Sequence, residues 1–205
     1  MFSTIWKFWA PRYERLYAQY FALGPTRKLV IDHLHSIGAS PLHILDLGCG
    51  IGQLASELAD LYPNAEITAI DPTSAMIKRA MADYTRTNIT YHTGVLNDIP
   101  TDKRFDLIVS THSFPYISDK LSALQQIRAM LNSGGRVIII QGNTQNLYDK
   151  LFFLGVKLTV SKAEYLSTQK ISQLMKSANL NVTAITPLPR KWFIPSVYLV
   201  EGTRE

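Results

Sequence analysis

Hydrophobic and polar positions between residues 43 and 141 alternate between a strand period and a helix period. Short apolar runs predict five strands, and the Ile, Leu and Val in the first and last runs are typical of strands covered on both faces. The predicted strands are His43–Leu47, Ile67–Asp71, Ile89–Thr93, Phe105–Ser110 and Arg136–Gln141. Two apolar stripes at helical spacing lie between strands, one formed by Leu54, Leu58 and Leu61 and the other by Leu121, Leu124, Ile127 and Leu131 before a Gly134–Gly135 turn. This order predicts an α/β fold with a doubly wound parallel sheet.

Helices are predicted before this sheet, and a helix and two strands after it. The first helix has Tyr13, Leu16, Tyr17 and Tyr20 on one face, and the second runs from near Gly24 to Gly38 with Val30, Leu34 and Ile37 on one face. Residues 143–162 show no clean period, and a helix with Ile171, Leu174 and Met175 on its apolar face follows them. Two final strands are predicted at Val182–Thr186 and Val197–Glu201, a hairpin-like pair that is unusual at the end of an all-parallel sheet. Without a repeat or a linker, residues 1–205 are expected to form one domain.

Composition narrows the class of protein more than its function. The 205 residues are 46% hydrophobic and 18% charged, which excludes disorder for most of the chain. The single cysteine, Cys49, excludes an internal disulfide and an unassisted Cys-rich zinc site, and no metal site is predicted. The net charge of +5 suits an acidic partner or surface but decides nothing alone. Residues 1–11 lack the features of a signal peptide and no apolar run could cross a bilayer, so we expect a soluble, cytoplasmic protein.

The strongest chemical motif is a glycine-rich loop between the first strand and the helix after it. Gly48, Gly50 and Gly52 allow the backbone to turn tightly and to approach a ligand, while the helix N-terminus offers unpaired N–H groups. Asp71 ends the next strand, where a carboxylate can accept hydrogen bonds from both hydroxyls of a ribose. A tight turn and a helix cap would explain each feature separately, but together they predict an adenosine ligand.

The residues around this loop disfavour two other kinds of adenosine ligand. A dinucleotide site needs glycine at the sixth place, which is Gln53 here. A triphosphate site would need a Gly-Lys-Ser/Thr sequence that the loop lacks. The spacing of the three glycines, followed by the aspartate, resembles instead the first motif of class I S-adenosylmethionine-dependent methyltransferases.

The resemblance continues through four further motifs in the same order along the chain. The segments 45–52, 69–76, 94–100, 105–110 and 131–137 resemble the family's first motif, its acidic second motif, its third motif, its fourth strand and the turn into its fifth strand. The resemblance implies a Rossmann-like seven-stranded sheet of order 3-2-1-4-5-7-6 with the last strand antiparallel. It also implies a helical cap at residues 1–40, a cofactor-binding half at 41–142, and an insert with the terminal strand pair at 143–205.

The family's cofactor roles map onto a set of residues in this chain. Asp46 and the backbone of the loop would face the methionine end of S-adenosyl-L-methionine, Asp71 would bind its ribose, and Ser110 would lie near the sulfonium. Pro72 and Met76 would line the adenine side. Val95 and Leu96 of the third motif would also contact the cofactor. The family often has an acidic residue where this chain has Val95, directly after the glycine, so we expect the adenine amino group to meet backbone, Asn97 or Asp98. Cys49 lies between loop glycines, and we expect it to pack as a small side chain rather than to react.

Residues after the fourth strand would face the methyl acceptor. His112 is the best candidate for a general base because its ordinary pKa suits proton removal at neutral pH, although a histidine satisfied by backbone is an equal alternative. Tyr116 would orient the acceptor or wall its pocket. Ser113–Tyr116 begins too late, and lacks the amide or carboxylate, to match the Asn/Asp-Pro-Pro-Tyr motif of amino-methylating nucleic-acid enzymes. The basic residues are scattered, so no nucleic-acid partner is expected.

The N-terminal cap and the insert are both rich in aromatic side chains. Their aromatic residues are Trp6, Trp9, Tyr13, Tyr17, Tyr20 and Phe21 in the cap, and Tyr148, Phe152 and Phe153 in the insert. They would pack as core, enclose an apolar or aromatic acceptor, or rest on a membrane surface, and nothing in the sequence supports the last choice over the others. We therefore expect a methyltransferase acting on a small molecule. The alternative is a non-catalytic protein that binds S-adenosylmethionine or a partner on the same scaffold.

Overall fold

A seven-stranded sheet organises the residues that the computed structural model describes, which are 23–159, 163–189 and 195–205. Its strands are β1 (His43–Leu47), β2 (Glu66–Asp71), β3 (Ile89–Thr93), β4 (Phe105–Thr111), β5 (Leu131–Gly142), β6 (Asn181–Pro187) and β7 (Val197–Thr203). They lie in the order β3-β2-β1-β4-β5-β7-β6, and β7 runs antiparallel to both of its neighbours. The predicted fold class and strand order are confirmed.

Among the described residues, six α-helices pack around the sheet. They are α1 (Gly24–Ser36), α2 (Gln53–Leu61), α3 (Ser74–Asp83), α4 (Lys120–Met130), α5 (Leu147–Thr159) and α6 (Thr168–Ser177). Neighbouring residues of each central strand point to opposite faces, so that Ile44 of β1 packs in the cluster with α1 and α2 while Leu45 packs in the cluster with α4 and α6. Because both faces are buried in this way, the central strands are continuous apolar runs.

A buried carboxylate, Glu201, ties α1 to the sheet. Glu201 of β7 accepts hydrogen bonds from Nε2 of His33 at 3.1 Å and from Nη1 of Arg136 at 2.6 Å. Burial alone would raise the pKa of Glu201, but these two donors and the Arg136 charge lower it to about 2. The carboxylate therefore stays ionised in the folded protein and holds α1 against β5 and β7.

Two sequence predictions of secondary structure are corrected here. Leu131 was expected in the α4 stripe, but it is extended and pairs with Phe105, so β5 begins there and not at Arg136. Residues 143–162 contain α5, which has no clean amphipathic period because its outer face carries the exposed Leu147, Leu151 and Leu154 while Phe153 is buried on its inner face. The predicted helix around Tyr13 and Tyr20 and the cap aromatic residues lie outside the described residues. Within the described ranges, no helix is long and apolar enough to cross a membrane.

Candidate functional site

The candidate site lies at the carboxyl edge of the sheet, where the strand order reverses between β1 and β4. In open α/β sheets this reversal leaves a crevice for a ligand. The cleft found there is lined by Leu23, Arg27, Gly48, Cys49, Gly50, Ile51, Gln53, Leu54, Thr111 and His112. Its walls thus come from the β1–α2 loop, from the end of β4 and from the start of α1.

The β1–α2 loop can take its course only with glycine at its turning points. Gly48 has φ +81°, and a Cβ there would lie 2.5 Å from Oγ of Ser113. Gly52 has φ +85°, and a Cβ there would lie 2.6 Å from the hydroxyl of Tyr91. Both the left-handed backbone and the close neighbours exclude a side chain, so the loop is shaped by its glycines. It then delivers the N-terminus of α2 to the cleft.

Asp46 places an uncompensated carboxylate directly beneath this loop. The side chain is fully buried, and neither carboxylate oxygen has a hydrogen-bond partner among the described residues. Burial, reinforced by the negative charge of Asp71, raises the pKa of Asp46 to about 7; the backbone amide of Ala55 opposes this without reaching hydrogen-bond geometry. A buried carboxylate without a partner is costly, so this group is suited to a cationic or hydrogen-bond-donating ligand.

Asp71 connects the second strand to the glycine loop. Its Oδ2 accepts a hydrogen bond from the N–H of Gly50 at 3.0 Å, and its Oδ1 accepts one from the N–H of Thr73 at 2.8 Å. Burial raises the pKa of Asp71, and these two amides oppose the rise. Because each carboxylate oxygen accepts more than one hydrogen bond, both can also receive a hydroxyl of a diol. The predicted ribose contact is therefore compatible with the loop contacts.

The residues predicted to line the adenine side of the site differ in their exposure to solvent. Met76 and Leu96 are buried, Met76 against Ile51 of the loop, whereas Pro72 and Val95 are exposed. Asp98, one alternative for the adenine contact, accepts a hydrogen bond from the N–H of Val95 at 2.8 Å with its Oδ2. Because this carboxylate oxygen already holds the Val95 backbone in place, the backbone or Asn97 is favoured as the partner of the adenine amino group.

Ser110 and Cys49 are both buried under the loop. Oγ of Ser113 donates to the carbonyl of Leu47 at 2.6 Å, so Ser110 is the donor in the 2.6 Å contact between the two hydroxyls. This arrangement fixes the wall against which Gly48 packs. Burial, and then the charges of Asp46 and Asp71, raise the pKa of the Cys49 thiol. The thiol is thus not ionised, which agrees with its expected role as a small packed side chain.

His112 follows β4 at the cleft, but its environment does not favour the predicted base. Burial lowers the pKa of His112 to about 4, so the ring is neutral and weakly basic at neutral pH. Its Nε2 lies 3.0 Å from Oγ1 of the buried Thr26, and its backbone has φ +56°. The imidazole thus joins the start of α1 to the β4 loop. The sequence did not point to Thr26, because the two residues are far apart along the chain.

Tyr116 belongs to an aromatic cluster made with the insert. Burial raises the pKa of Tyr116, and a hydrogen bond with the Tyr165 side chain opposes this rise. The ring of Tyr165 stacks on Phe153 with centroids 4.1 Å apart, and Phe153 occupies the space where Gly142 would carry a Cβ. Nearby, Gln141 is buried and donates to the carbonyl of Leu166 at 3.2 Å. Only the fold brings these residues together, and the sequence analysis missed Tyr165 and Gln141.

Comparisons with known proteins agree with this geometry. Residues 44–135 match the family model described as "Methyltransferase domain". These residues form a methyltransferase domain of the class I S-adenosylmethionine-dependent family. S-adenosylmethionine is the methyl donor of this family. The unpartnered carboxylate of Asp46 fits its ammonium group, the backbone of the glycine loop fits its amino-acid end, and Asp71 fits its ribose.

Individual relatives are similar over part or all of the chain. A malonyl-acyl-carrier-protein O-methyltransferase of Geobacter sulfurreducens is 33% identical over 129 residues, which are 60% of this chain and 48% of that protein. One of the same name from Acetivibrio thermocellus is 31% identical over 106 residues, 52% of this chain and 38% of that protein. This chain therefore spans no more than about half the length of these curated relatives.

Two solved structures match almost the whole chain in fold. An N-methyltransferase from Bradyrhizobium japonicum WM9, in complex with S-adenosyl-L-homocysteine, has a TM-score of 0.79 at 15% identity and covers 99% of this chain and 98% of its own. Magnesium protoporphyrin IX methyltransferase from Synechocystis PCC 6803, with bound S-adenosylmethionine, has a TM-score of 0.73 at 15% identity and covers 100% and 98%. At this identity the likeness concerns the fold.

Proposed function

We propose that this protein transfers a methyl group from S-adenosylmethionine to a small apolar or aromatic molecule. The observation that carries the proposal is the unpartnered, buried carboxylate of Asp46 beneath the glycine loop that borders the cleft. A structural turn would not need an uncompensated charge, whose burial opposes folding. A ligand with an ammonium group would compensate it.

The proposed donor site uses the chain's own groups around the glycine loop. Asp46 and the backbone of the glycine loop bind the amino-acid end, and Asp71 binds the ribose hydroxyls beside its contacts to Gly50 and Thr73. Met76 and Leu96 supply apolar surface toward the adenine. When bound, S-adenosylmethionine would supply a methyl group that its sulfonium activates for displacement by a nucleophile of the acceptor.

The acceptor side of the proposed site is aromatic. The hydrogen-bonded pair of Tyr116 and Tyr165, both half-buried and backed by the buried Phe153, forms an aromatic wall beyond the end of β4. The proposed roles of these side chains are to exclude water and to orient a flat or apolar acceptor. The low pKa of His112 supports a positioning role through Thr26 and not proton removal, so we propose that alignment contributes more than general-base catalysis.

Calorimetric titration with S-adenosylhomocysteine tests the donor site, with a reduced nicotinamide cofactor as the control ligand. We expect binding of the first ligand only. Asp71→Ala should weaken that binding by roughly 1–3 kcal/mol because it leaves hydrogen-bonding groups unpaired. The matched control is Asp60→Ala, which removes an exposed aspartate whose side chain pairs with Arg86. Unchanged affinity in Asp71→Ala would refute the ribose assignment.

Turnover with a panel of acceptors then separates the proposed enzyme from a protein that only binds the cofactor. The panel should contain aromatic and aliphatic alcohols, amines and acids, and a malonyl thioester, because the curated relatives carry that name. We expect methyl transfer to an apolar or aromatic member. Binding of S-adenosylhomocysteine without transfer to any member would favour the non-catalytic alternative.

A further inference from the structure

Helix α5 exposes an apolar face that the core does not use. Nine large hydrophobic side chains are exposed among the described residues, and five of them lie on this one helix. They are Leu147, Tyr148, Leu151, Phe152 and Leu154, with Leu147 at 72%, Leu151 at 60% and Leu154 at 54% exposure. Clustering of this kind on one helix is uncommon on the surface of a soluble monomer and marks an interaction surface.

The helix is fixed so that this apolar face points away from the body of the protein. Asp149 is fully buried and accepts hydrogen bonds from the N–H of Ser196 at 2.9 Å and from the side chain of Asn146 at 2.6 Å. Four residues later, on the same side of the helix, Phe153 fills the space over Gly142. At 100° per residue, Leu147, Leu151 and Leu154 lie opposite this anchored side.

The charges beside the apolar face are positive. The acidic side chain of Asp149 is turned inward, and the exposed Lys150 borders a cleft between α5 and the start of α6. Lys170 lines the same cleft, and none of the described residues that line it is acidic. Glu164, just outside the cleft, pairs with Lys120 at 2.9 Å. An apolar helix face next to two lysines is complementary to acyl chains beneath anionic headgroups.

We propose that α5 docks this protein on anionic lipid surfaces. Thirteen residues extend about 20 Å, less than the roughly 30 Å hydrocarbon core of a bilayer, so the helix would lie in the interface plane and not across it. Tyr148 and Phe152 flank the leucines, as aromatic residues do at the level of lipid headgroups. Docking through α5 would place the cleft that Lys150 and Tyr165 line beside the lipid surface. The inference does not depend on the proposed methyl transfer.

Co-sedimentation of the full chain with lipid vesicles tests this proposal. We expect binding to phosphatidylcholine vesicles that contain phosphatidylglycerol, and weaker binding to phosphatidylcholine alone or at high salt. Leu151→Glu should weaken binding to the anionic vesicles roughly tenfold, because it puts a charge at the centre of the buried face. Lys150→Gln combined with Lys170→Gln should weaken it by roughly fivefold for each lysine and reduce its salt dependence.

The matched control is Met81→Glu, which places the same charge on an exposed apolar residue of α3. It should bind vesicles as the unchanged protein does. An unchanged affinity for S-adenosylhomocysteine shows that each variant is folded. If the unchanged protein does not bind that ligand, an unchanged circular dichroism spectrum shows it instead. Failure of the full chain to bind anionic vesicles, or equal binding by Leu151→Glu, would overturn the proposal. Self-association that Leu151→Glu abolishes, without vesicle binding, would assign the face to a second copy of the chain.

Discussion

The buried carboxylate of Asp46 should make the ligand-free protein less stable as the pH rises. Burial raises its pKa from 3.8 to about 7, so the folded state retains a proton that the unfolded chain releases over this interval. Stability is therefore lost between about pH 4 and pH 7, and is unaffected by this group at lower pH. The shift corresponds to about 4 kcal/mol when the carboxylate is fully ionised, at 1.36 kcal/mol per pKa unit.

Asp46→Asn removes this ionisation and leaves a group of similar size. We expect the free energy of unfolding of the ligand-free variant to gain about 3 kcal/mol relative to the unchanged protein between pH 4.5 and pH 8. The comparison of two pH values cancels the pH-independent cost of burying an amide without partners, which is about 1–3 kcal/mol. The same variant should bind S-adenosylhomocysteine more weakly, since an amide carries no charge for the ligand's ammonium.

Urea denaturation of both proteins at several pH values measures this difference, and calorimetry measures the affinity. The matched control is Asp60→Asn, because Asp60 is exposed. It should not gain stability between pH 4.5 and pH 8. Parallel stability–pH curves for Asp46→Asn and the unchanged protein would refute the reasoning, because the carboxylate would then have its ordinary pKa and a partner that compensates its charge.

Three further perturbations test separate parts of the structure. Gly48→Ala should destabilise the protein by about 2–4 kcal/mol in thermal unfolding, because it adds backbone strain and a steric overlap with Ser113. Gly38 also has a positive φ but lies in open space, so Gly38→Ala should cost only the strain, about 1 kcal/mol. Equal losses would contradict the close approach. Glu201→Gln should lower the free energy of unfolding by about 2 kcal/mol at pH 7. Because the pKa of Glu201 is lowered to about 2, the difference in stability between the two proteins should shrink as the pH falls from 4.5 toward 2. A pH-independent difference would argue against the ion pair with Arg136. With S-adenosylmethionine saturating, so that its ammonium compensates Asp46, the pH profile of kcat/KM for the acceptor should lack an ionisation near 6.5, because burial lowers the pKa of His112 to about 4. An ionisation near 6.5 that His112→Asn removes would restore His112 as the base.

The elements of the cofactor half were predictable because local sequence determines them. A buried parallel strand is a continuous apolar run, a helix repeats its apolar side chains every three to four residues, and a tight βα turn needs glycine where φ is positive. The predicted ends of helices and strands were wrong where pairing with a neighbouring strand decides the conformation. Leu131 continues the apolar stripe of α4, yet pairing with Phe105 makes it the first residue of β5.

The candidate site divides along the same line. The sequence determined the βα order, the glycine loop and Asp71 at the end of β2, because each is a local pattern with its own physical cause. Only the tertiary structure decided that Asp46 has no partner, that Thr26 meets His112, and that Tyr165 pairs with Tyr116. Burial, pairing and the resulting pKa depend on which distant segments the fold brings together, and no local pattern of residues records them.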